Sequence, residues 1–491
     1  MFQGLRTNSL FYVLDKGENP SLRIGQVVSV SNPQTRYQSF NNGFTPQPME
    51  TVVDVKKNIL TAIMLSEANT IYEIRYDFDL NGETIEMQEG CTLKFEGGSL
   101  KNGTIKGNHT IISAKLTKIF STNIELTATW NIKGLYPEWF GAIGDYVTDD
   151  VLAIQKCIDI GIVIRKDTLL TNNYAISDSV KFNQDLNEHS FYSVKGNNLP
   201  KLKSLGNKPL FTSGLKYSGS PVAQYLKLEG IQFQGDKNNH VLDGNKIMRV
   251  EIAGCIFNIK LLYASKYIQT LYVHNCKING YGDNNSSTSW FQVENGLHDV
   301  KFDSLQFEYS IGGAIAAYGG DEFSVFNLSI VNCLFEALRK QPAISYKKVS
   351  SMYIAGSYFE DNKGGHVVAI DSNNKNIVLI GNTFNEILSN ESVDNTSGNG
   401  TYKVVWWGTD GCSSISNNGL AEKGHFFRNG SSNFFVNDYG FPFNTINVSS
   451  YLPTGNSLLG LFEGRLCYNS ELKKWVTYNG ENWQNLDGTP L

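Results

Sequence analysis

Hydrophobic and polar positions repeat in the middle of the chain. Each copy reads apolar, variable, apolar, variable, small, two variable positions, then aromatic or apolar, and successive copies begin 24, 21, 29, 28, 24 and 25 residues apart. The alternation predicts two short strands per copy, each with one face inward. A repeat of this length is typical of one coil of a β-solenoid and is far shorter than a domain. The copies are LKLEGIQF (226–233), VEIAGCIF (250–257), LYVHNCKI (271–278), VKFDSLQF (300–307), LSIVNCLF (328–335), MYIAGSYF (352–359) and IVLIGNTF (377–384).

Two columns of the repeat have distinct physical roles. The fifth column holds residue types that mostly tolerate a left-handed backbone, so we expect a sharp bend there. The eighth column predicts a continuous stack of large apolar side chains in the core. The fifth column is Gly230, Gly254, Asn275, Ser304, Asn332, Gly356 and Gly381. The eighth column is Phe233, Phe257, Ile278, Phe307, Phe335, Phe359 and Phe384.

Three cysteines, Cys255, Cys276 and Cys333, fall in the sixth column. A column of thiols one strand spacing apart does not form the tetrahedral cage of a zinc site, so buried core thiols are favoured over metal ligands. The chain has seven cysteines, an odd number with no Cys-x-x-Cys pair, which argues against a disulfide framework. We therefore expect neither a metal nor a cofactor.

A third short strand follows each pair, at 290–295, 314–319, 343–348 and 367–372. Three strands per coil, together with the segment WFGAIGDYVTDDVLAIQKCID (139–159), resemble the right-handed parallel β-helix of the pectate-lyase-like superfamily. In that family an entry strand, a Gly-Asp-Gly turn and a helix begin the solenoid, and here Tyr146 replaces the second glycine. The resemblance covers residues 130 to 390 and implies an all-β fold whose open end is capped by a short helix.

The segment before this helix contains three aspartates, Asp145, Asp149 and Asp150. Turn and cap roles explain them better than roles as catalytic acids, with Thr148 or Asp149 capping the first helical turn. An amphipathic helix at this point hides the apolar interior and the unpaired strand edges of a solenoid end.

The segments that flank the repeats have different sequence patterns. Residues 1–75 resemble N-terminal segments of virion proteins from crAss-like gut phages, and residues 76–130 alternate in short runs that predict a small β-solenoid or β-roll. The β-helix is expected over 131–390, followed by an aromatic-rich β region over 391–460. Residues 461–491 predict a β-hairpin with an Asn-Gly turn, similar to C-terminal modules of phage fibres and spikes.

Charge and hydropathy exclude several classes of protein. The 42 Lys and Arg against 47 Asp and Glu give a net charge of -5 without basic blocks, which argues against a nucleic-acid partner. No segment approaches the roughly 18 apolar residues of a membrane span, and residues 1–20 do not read as a secretory signal. A secreted cellular pectate lyase is disfavoured by that missing signal and by the extra terminal modules.

The resemblance implies a bacteriophage tailspike or tail fibre. Such proteins are typically homotrimers that bind host surface polysaccharide, and many cleave it. We therefore expect a virion protein, made in the bacterial cytoplasm, whose N-terminus attaches to other phage virion proteins. The alternative is a glycan depolymerase, a glycoside hydrolase or polysaccharide lyase acting on capsular polysaccharide.

Catalysis requires suitably spaced carboxylates. On the third strand Val367, Ala369 and Asp371 are expected to face outward. At one strand spacing per coil, Asp371 is expected about 14 Å from Glu294, which lies three coils away. That distance is too long for the pair of carboxylates that a glycosidase uses. A better candidate directly follows the eighth column, where neighbouring carboxylates would be about 5 Å apart and the outer two about 10 Å apart. A solvated edge or a cation site remains the alternative. These candidate catalytic residues are Glu308, Glu336 and Glu360.

Four further residues are candidates for glycan contact. Trp290 ends an inserted loop (280–289) and is expected either to stack on a sugar or to be buried against a neighbouring subunit. Arg339, Asp361 and His366 are close to the glutamates in sequence.

Overall fold

The structure of the 491-residue chain is a computed structural model. The residues it describes are 12–15, 36–38, 40–41, 62–182, 190–212, 222–236, 239–243, 247–262, 268–279, 289–294, 297–310, 312–320, 325–339, 341–362, 364–371, 373–385, 403–407, 409–410, 413–420, 425–428, 434–436, 466–469, 474–479 and 482–490. The chain divides into two compact units, the first formed by residues 1–184 and 190–205 and the second by residues 185–189 and 206–491.

The described residues of the first unit form short strands and one α-helix. Parallel pairing joins Thr70–Ile74, Thr92–Phe95, Gly103–Ser113 and Ile124–Trp130 in that order. Two 3-10 helices span Ala62–Leu65 and Pro137–Phe140. The other strands are Tyr12–Asp15, Arg36–Gln38, Phe40–Asn41, Phe78–Asp79, Thr84–Glu86, Leu100–Lys101, Asp145–Asp149, Thr168–Leu170, Asn173–Ile176, Val180–Lys181, Ser190–Gly196 and Lys201–Ser204.

The α-helix, Val151–Ile164, is the helix that the sequence predicts. It packs against the strand Ile124–Trp130 and the 3-10 helix before it, and against Ser190–Gly196 after it. The buried Asp150 precedes the helix, and its carboxylate accepts hydrogen bonds from the backbone N–H groups of Ile143 (2.7 Å) and Gly144 (3.1 Å). The turn before the helix is therefore fixed by a buried carboxylate.

The other two aspartates also bind backbone. Asp149 Oδ1 accepts a hydrogen bond from the N–H of Val151 at 3.2 Å, in the first helical turn. Asp145 accepts from the N–H groups of Val147 (2.8 Å) and Thr148 (2.6 Å). The expected turn roles agree with this geometry, but the N-cap position is Asp150, whose side chain makes no capping hydrogen bond, and the Thr148 hydroxyl donates to Asp145 at 2.8 Å.

The second unit is built from three parallel sheets, here named sheets A, B and C, to which each coil contributes one strand. Sheet A contains Val222–Glu229, Ile247–Ala253, Thr270–His274, Asp299–Asp303, Leu328–Val331, Met352–Ala355, Ile377–Ile380, Ser413–Ile415 and Phe434–Val436. Sheet B contains Gln232–Gln234, Ile256–Phe257, Lys277–Asn279, Gln306–Glu308, Leu334–Glu336, Tyr358–Glu360 and Thr383–Phe384. Sheet C contains Phe211–Thr212, His240–Asp243, Lys260–Leu262, Phe291–Glu294, Ile315–Tyr318, Ile344–Lys347, Val367–Ala369, Val404–Trp407 and His425–Arg428.

This architecture confirms the all-β, parallel β-helix prediction, and the coils continue past residue 390 to Val436. A small parallel pair, Asn374–Lys375 and Thr409–Asp410, lies beside them. Near the C-terminus three strands pair antiparallel in the segment where the sequence predicts a hairpin: Leu466–Asn469, Lys474–Tyr478 and Trp483–Asn485. Among the described residues, no helix is long and apolar enough to cross a membrane.

Both columns of the sequence repeat are confirmed. Every fifth-column residue has a left-handed backbone, with φ between 53° and 65°. Every eighth-column side chain is fully buried. The rings of Phe307, Phe335, Phe359 and Phe384 stack in turn, with centroids 5.1, 4.7 and 4.8 Å apart. The stacked rings form the core between sheets A, B and C.

One coil of the eighth column has no ring, because Ile278 stands there. Phe291 of sheet C fills the gap, with its ring centroid 5.4 Å from that of Phe257 and 5.3 Å from that of Phe307. A ring from another sheet thus completes the stack where the repeat lacks one.

Thiol, hydroxyl and amide side chains of the sixth column form hydrogen bonds between coils, here named the bend ladder, which is interrupted where Ile231 and Leu305 stand. The backbone N–H of Cys255 donates to Cys276 Sγ at 3.3 Å, and that of Ser357 donates to Asn382 Oδ1 at 2.9 Å. The N–H of Asn382 donates in turn to Asn417 Oδ1 at 2.8 Å. Side chains of this column therefore satisfy backbone donors of the preceding coil, and its three cysteines are buried thiols as predicted.

Candidate functional site

Three carboxylates line the outer face of sheet B. Strand register pairs Glu308 with Glu336 and Glu336 with Glu360, on adjacent coils. We name these residues the glutamate column. Parallel strands lie about 4.8 Å apart, so neighbouring members are about 5 Å apart and the outer two about 10 Å apart. The sequence-based alignment is therefore correct, while the catalytic role remains a prediction.

Amide side chains continue this column in both directions. Asn279 pairs with Glu308 on one side. On the other side Asn385 follows Phe384, which pairs with Phe359 immediately before Glu360. The outer face of sheet B thus presents five successive coils of polar side chains at one register position.

The three glutamates differ in their partners. Lys277 Nζ lies 3.0 Å from Glu308 Oε2. The hydroxyl of Tyr358 donates to Glu360 Oε2 at 3.0 Å, and this hydrogen bond raises the pKa of Tyr358. Within the described part of the chain, the Glu336 side chain makes neither an ion pair nor a hydrogen bond. The central carboxylate is therefore the unpaired one.

A second bend follows each glutamate and holds it in place. Tyr309, Ala337 and Asp361 have left-handed backbones, with φ of 55°, 57° and 52°. The N–H of Tyr309 donates to the carbonyl of Glu336 at 3.1 Å, and the N–H of Ala337 to that of Glu360 at 3.1 Å. These bonds fix the register at which successive carboxylates leave the sheet.

The side chain of Trp290 is hydrogen-bonded to this bend. Its side chain is buried, and Nε1 donates to the hydroxyl of the buried Ser310, two residues after Glu308. The carbonyl of Ser310 accepts from the N–H of Arg339 at 2.8 Å, and the Arg339 side chain is exposed. The buried indole thus binds the bend, whereas the role of Arg339 in glycan contact stays a prediction.

His366 is fully buried beside the end of the column. The carbonyl of Asn385 lies 3.0 Å from Nε2 and can only accept, so Nε2 carries the proton and Nδ1 accepts from Asn362 Nδ2 at 3.0 Å. Burial lowers the pKa of His366 to about 3. The enclosed imidazole thus has no exposed surface, whereas the partly exposed Asp361 lies next to Glu360.

Sheet C corrects one prediction about side-chain faces. Val367 pairs with Ile344, and Ala369 pairs with Tyr346, so Val367 and Ala369 share the inward-facing column. The prediction that they face outward is wrong, because no bend residue in the sequence marks where this strand begins. Val368, in the outward register position, is also buried, as is the outward Ser345. This face therefore offers few groups for chemistry.

The sequence patterns did not reveal a second polar group, on the outer face of sheet A. Glu251, Tyr272 and Lys301 share one register column, and His274 and Asp303 share the next. These residues are more than 20 positions apart from coil to coil, so no local motif marks them. Register alone brings them together.

No protein-family model and no curated protein matches the chain. Among solved structures, ORF18 of Geobacillus virus E2 matches at 14% identity and a TM-score of 0.44, over 73% of this chain and 74% of that one. The tailspike protein of Acinetobacter baumannii phage AM24 matches at 13% identity and a TM-score of 0.41, over 62% of this chain and 55% of that one. Phage tailspikes stand among its structural neighbours.

Another similar structure is the A-module of a mannuronan C-5 epimerase from Azotobacter vinelandii. It matches at 12% identity and a TM-score of 0.31, over 62% of this chain and 96% of that module. The parallel β-helix itself is established by the strand pairings described above.

Proposed function

We propose that this chain is a phage tailspike that recognises host surface polysaccharide along the outer face of sheet B. In this proposal residues 1–75 attach to other virion proteins and the spike is a homotrimer on the virion. The feature that carries the proposal is the unbroken polar column from Asn279 through the glutamate column to Asn385. A row of equivalent donors and acceptors on a rigid scaffold suits a polymer of repeating sugars.

The backbone supports this use of the column. Each coil is pinned to the next by hydrogen bonds at the glutamate position, so the carboxylates are spaced by the sheet and not by flexible loops. Sites on such regular elements keep their geometry with little ordering cost when a ligand binds. Arg339 and Asp361 lie at the edge of the column and extend its polar surface.

The glutamate column also favours a second candidate function, hydrolysis of the bound polysaccharide. Two carboxylates about 5 Å apart match the spacing of retaining glycosidases. In our assignment Glu336 protonates the glycosidic oxygen while a neighbouring carboxylate attacks the anomeric carbon. Water then cleaves the glycosyl-enzyme bond, with Glu336 taking the proton of that water. Lys277 and Tyr358 hold the neighbouring carboxylates in place.

The experiment compares the protein with Glu336→Gln on capsular polysaccharides from candidate host bacteria. Size-exclusion chromatography follows polymer length, and co-sedimentation follows binding. Glu89→Gln, at an exposed glutamate of the first unit, is the matched control. We expect binding by all three proteins and polymer shortening by the starting protein and the control only.

The outcomes separate recognition from cleavage. If the proteins bind the polysaccharide but none shortens it, the chain is an adhesin and hydrolysis at the glutamate column is refuted. Absence of binding to every host polysaccharide would refute recognition itself. Shortening that persists in Glu336→Gln would place the chemistry elsewhere.

A further inference from the structure

A series of hydrogen-bonded side chains leads from the interior of the coils to the C-terminal end of the glutamate column. We name it the support chain, and it consists of Asn362, His366, Asn385 and Tyr358. The Tyr358 hydroxyl donates to Glu360 Oε2 at 3.0 Å and accepts from Asn385 Nδ2 at 2.6 Å. Glu360 is therefore bound to a tyrosine that is itself held by a second side chain.

The inner end of the support chain is fixed by backbone groups. Asn362 is fully buried, and its Oδ1 accepts from the N–H of Leu338 at 3.2 Å while its Nδ2 donates to the carbonyl of Phe335 at 3.0 Å. These two bonds set which end of the amide is the nitrogen. The second hydrogen on Nδ2 is donated to His366 Nδ1 at 3.0 Å, and Nε2 donates to the carbonyl of Asn385 at 3.0 Å. All polar atoms of the Asn362 and His366 side chains are thus used.

The outer end of the support chain has an equally definite direction. A carboxylate only accepts, so the Tyr358 hydroxyl donates to Glu360, and this bond raises the pKa of Tyr358. The backbone of Asn385 is held on both sides, because its N–H donates to the carbonyl of Phe359 at 2.8 Å and its carbonyl accepts from His366. The Asn385 side chain therefore reaches Tyr358 from a fixed starting point.

Glu308, the other neighbour of Glu336, has a different kind of partner. Lys277 Nζ lies 3.0 Å from its Oε2, and the lysine side chain is 42% exposed. An exposed ammonium group on a flexible stem orders a carboxylate only weakly. The position equivalent to Tyr358 on the preceding coil is Leu334, which has no donor. The two outer carboxylates of the glutamate column are therefore held by an exposed cation at one end and by a partly buried chain at the other.

We infer that Glu360 is the carboxylate that attacks the anomeric carbon, and that the support chain positions it for this step. The inference rests on the proposed hydrolysis. A Glu360 oxygen forms an ester bond to the anomeric carbon while the glycosidic C–O bond breaks and the proton of Glu336 passes to the leaving oxygen. Water then replaces Glu360 at the anomeric carbon and gives a proton to Glu336. Tyr358 is a positioning residue, because it acts through Glu360.

A fixed carboxylate suits this role because a small displacement of a reacting group lowers the rate steeply. Side chains whose own positions are locked hold a reacting group more accurately than an exposed lysine does. The competing interpretation is that the support chain serves only the stability of the coils. A purely structural role would not act on kcat alone, so kinetics can separate the two interpretations.

The test measures kcat and KM for release of reducing ends from the capsular polysaccharide that the starting protein binds. Tyr358→Phe keeps the ring and removes the hydroxyl, so we expect kcat to fall roughly tenfold with KM unchanged, the effect of one lost hydrogen bond to a charged group. Tyr318→Phe is the matched control, since it removes a hydroxyl that hydrogen-bonds to Ser345 Oγ at 2.8 Å on sheet C. It should change neither constant.

Two glutamine variants test the choice between the outer carboxylates. Glu360→Gln should stop the release of reducing ends, whereas Glu308→Gln should raise KM and still release them. Circular dichroism melting of every variant checks that the coils remain folded.

Three results would overturn the inference: an unchanged kcat in Tyr358→Phe, release by Glu360→Gln, or loss of release in Glu308→Gln. The inference and the proposed function fail separately. If the starting protein binds the polysaccharide but releases no reducing ends, hydrolysis and this inference are both refuted while recognition stands. If the starting protein releases them and Tyr358→Phe does so at the same kcat, only the inference is refuted.

Discussion

Replacement of Phe335 tests whether ring stacking stabilises the coils beyond simple burial. Phe335 is fully buried, and its ring is nearly parallel to those of Phe307 (5.1 Å, 10°) and Phe359 (4.7 Å, 12°). Phe335→Leu keeps most of the apolar burial but removes two aromatic pairs, each worth about 0.5–1.5 kcal/mol, so we expect a loss of about 1–3 kcal/mol. Phe335→Ala also leaves a cavity and should cost about 3–5 kcal/mol.

Urea denaturation followed by circular dichroism at one fixed protein concentration measures these losses. Leu334→Ala is the matched control, because Leu334 precedes Phe335 on the same strand but is only half-buried and faces outward. Hydrogen exchange of the neighbouring coils shows whether the loss is local, as expected for a stack of repeats. The reasoning fails if Phe335→Leu costs no more than Leu334→Ala.

Three further predictions concern groups enclosed by the fold. His366 stays neutral in the folded chain, with a pKa of about 3 against 6.5 when unfolded, so stability should fall as pH drops from about 6.5 towards 3. Urea midpoints of His366→Gln should lack that part of the pH dependence, and an unchanged dependence contradicts the assignment. Asp150→Ala removes two hydrogen bonds from backbone N–H groups to a buried carboxylate and should cost about 3 kcal/mol in urea unfolding, more than the exposed Asp145→Ala. Asn382→Leu leaves the N–H of Ser357 without its acceptor in the bend ladder and should lower the melting temperature, and an unaltered melting temperature argues against the ladder.

The coil fold was predictable because each column of the repeat has its own structural requirement, which restricts the residue types found there. A left-handed bend selects Gly and Asn, and Ser304 with φ of 56° shows that one weaker match is tolerated within an otherwise regular series. The interior selects large apolar side chains, so Phe335 and its equivalents mark the inward face of sheet B. Sheet C lacked such a marker, and the inward face at Val367 was therefore misassigned.

The candidate sites were only partly visible in the sequence. The glutamate column was found because it directly follows the aromatic column and inherits its register. The polar group on the outer face of sheet A was missed because each member occupies an ordinary outward position of its own coil. The hydrogen bond from Trp290 to Ser310, across 20 residues of sequence, likewise depends on coil stacking and not on local pattern.

At the coil where Ile278 replaces a phenylalanine of the eighth column, the Phe291 ring fills the stack instead. This feature bears on how the coils pair in their native order during folding. Coils that are nearly interchangeable permit a slip in which one coil occupies the level of its neighbour. Such a slip would bring Phe291 to a level where the eighth column already holds a phenylalanine, and would leave Ile278 beside an unfilled space. Close-packed interiors tolerate neither crowding nor a void. We therefore expect the Ile278 and Phe291 pair to favour the native order of the coils during folding over a slip by one coil.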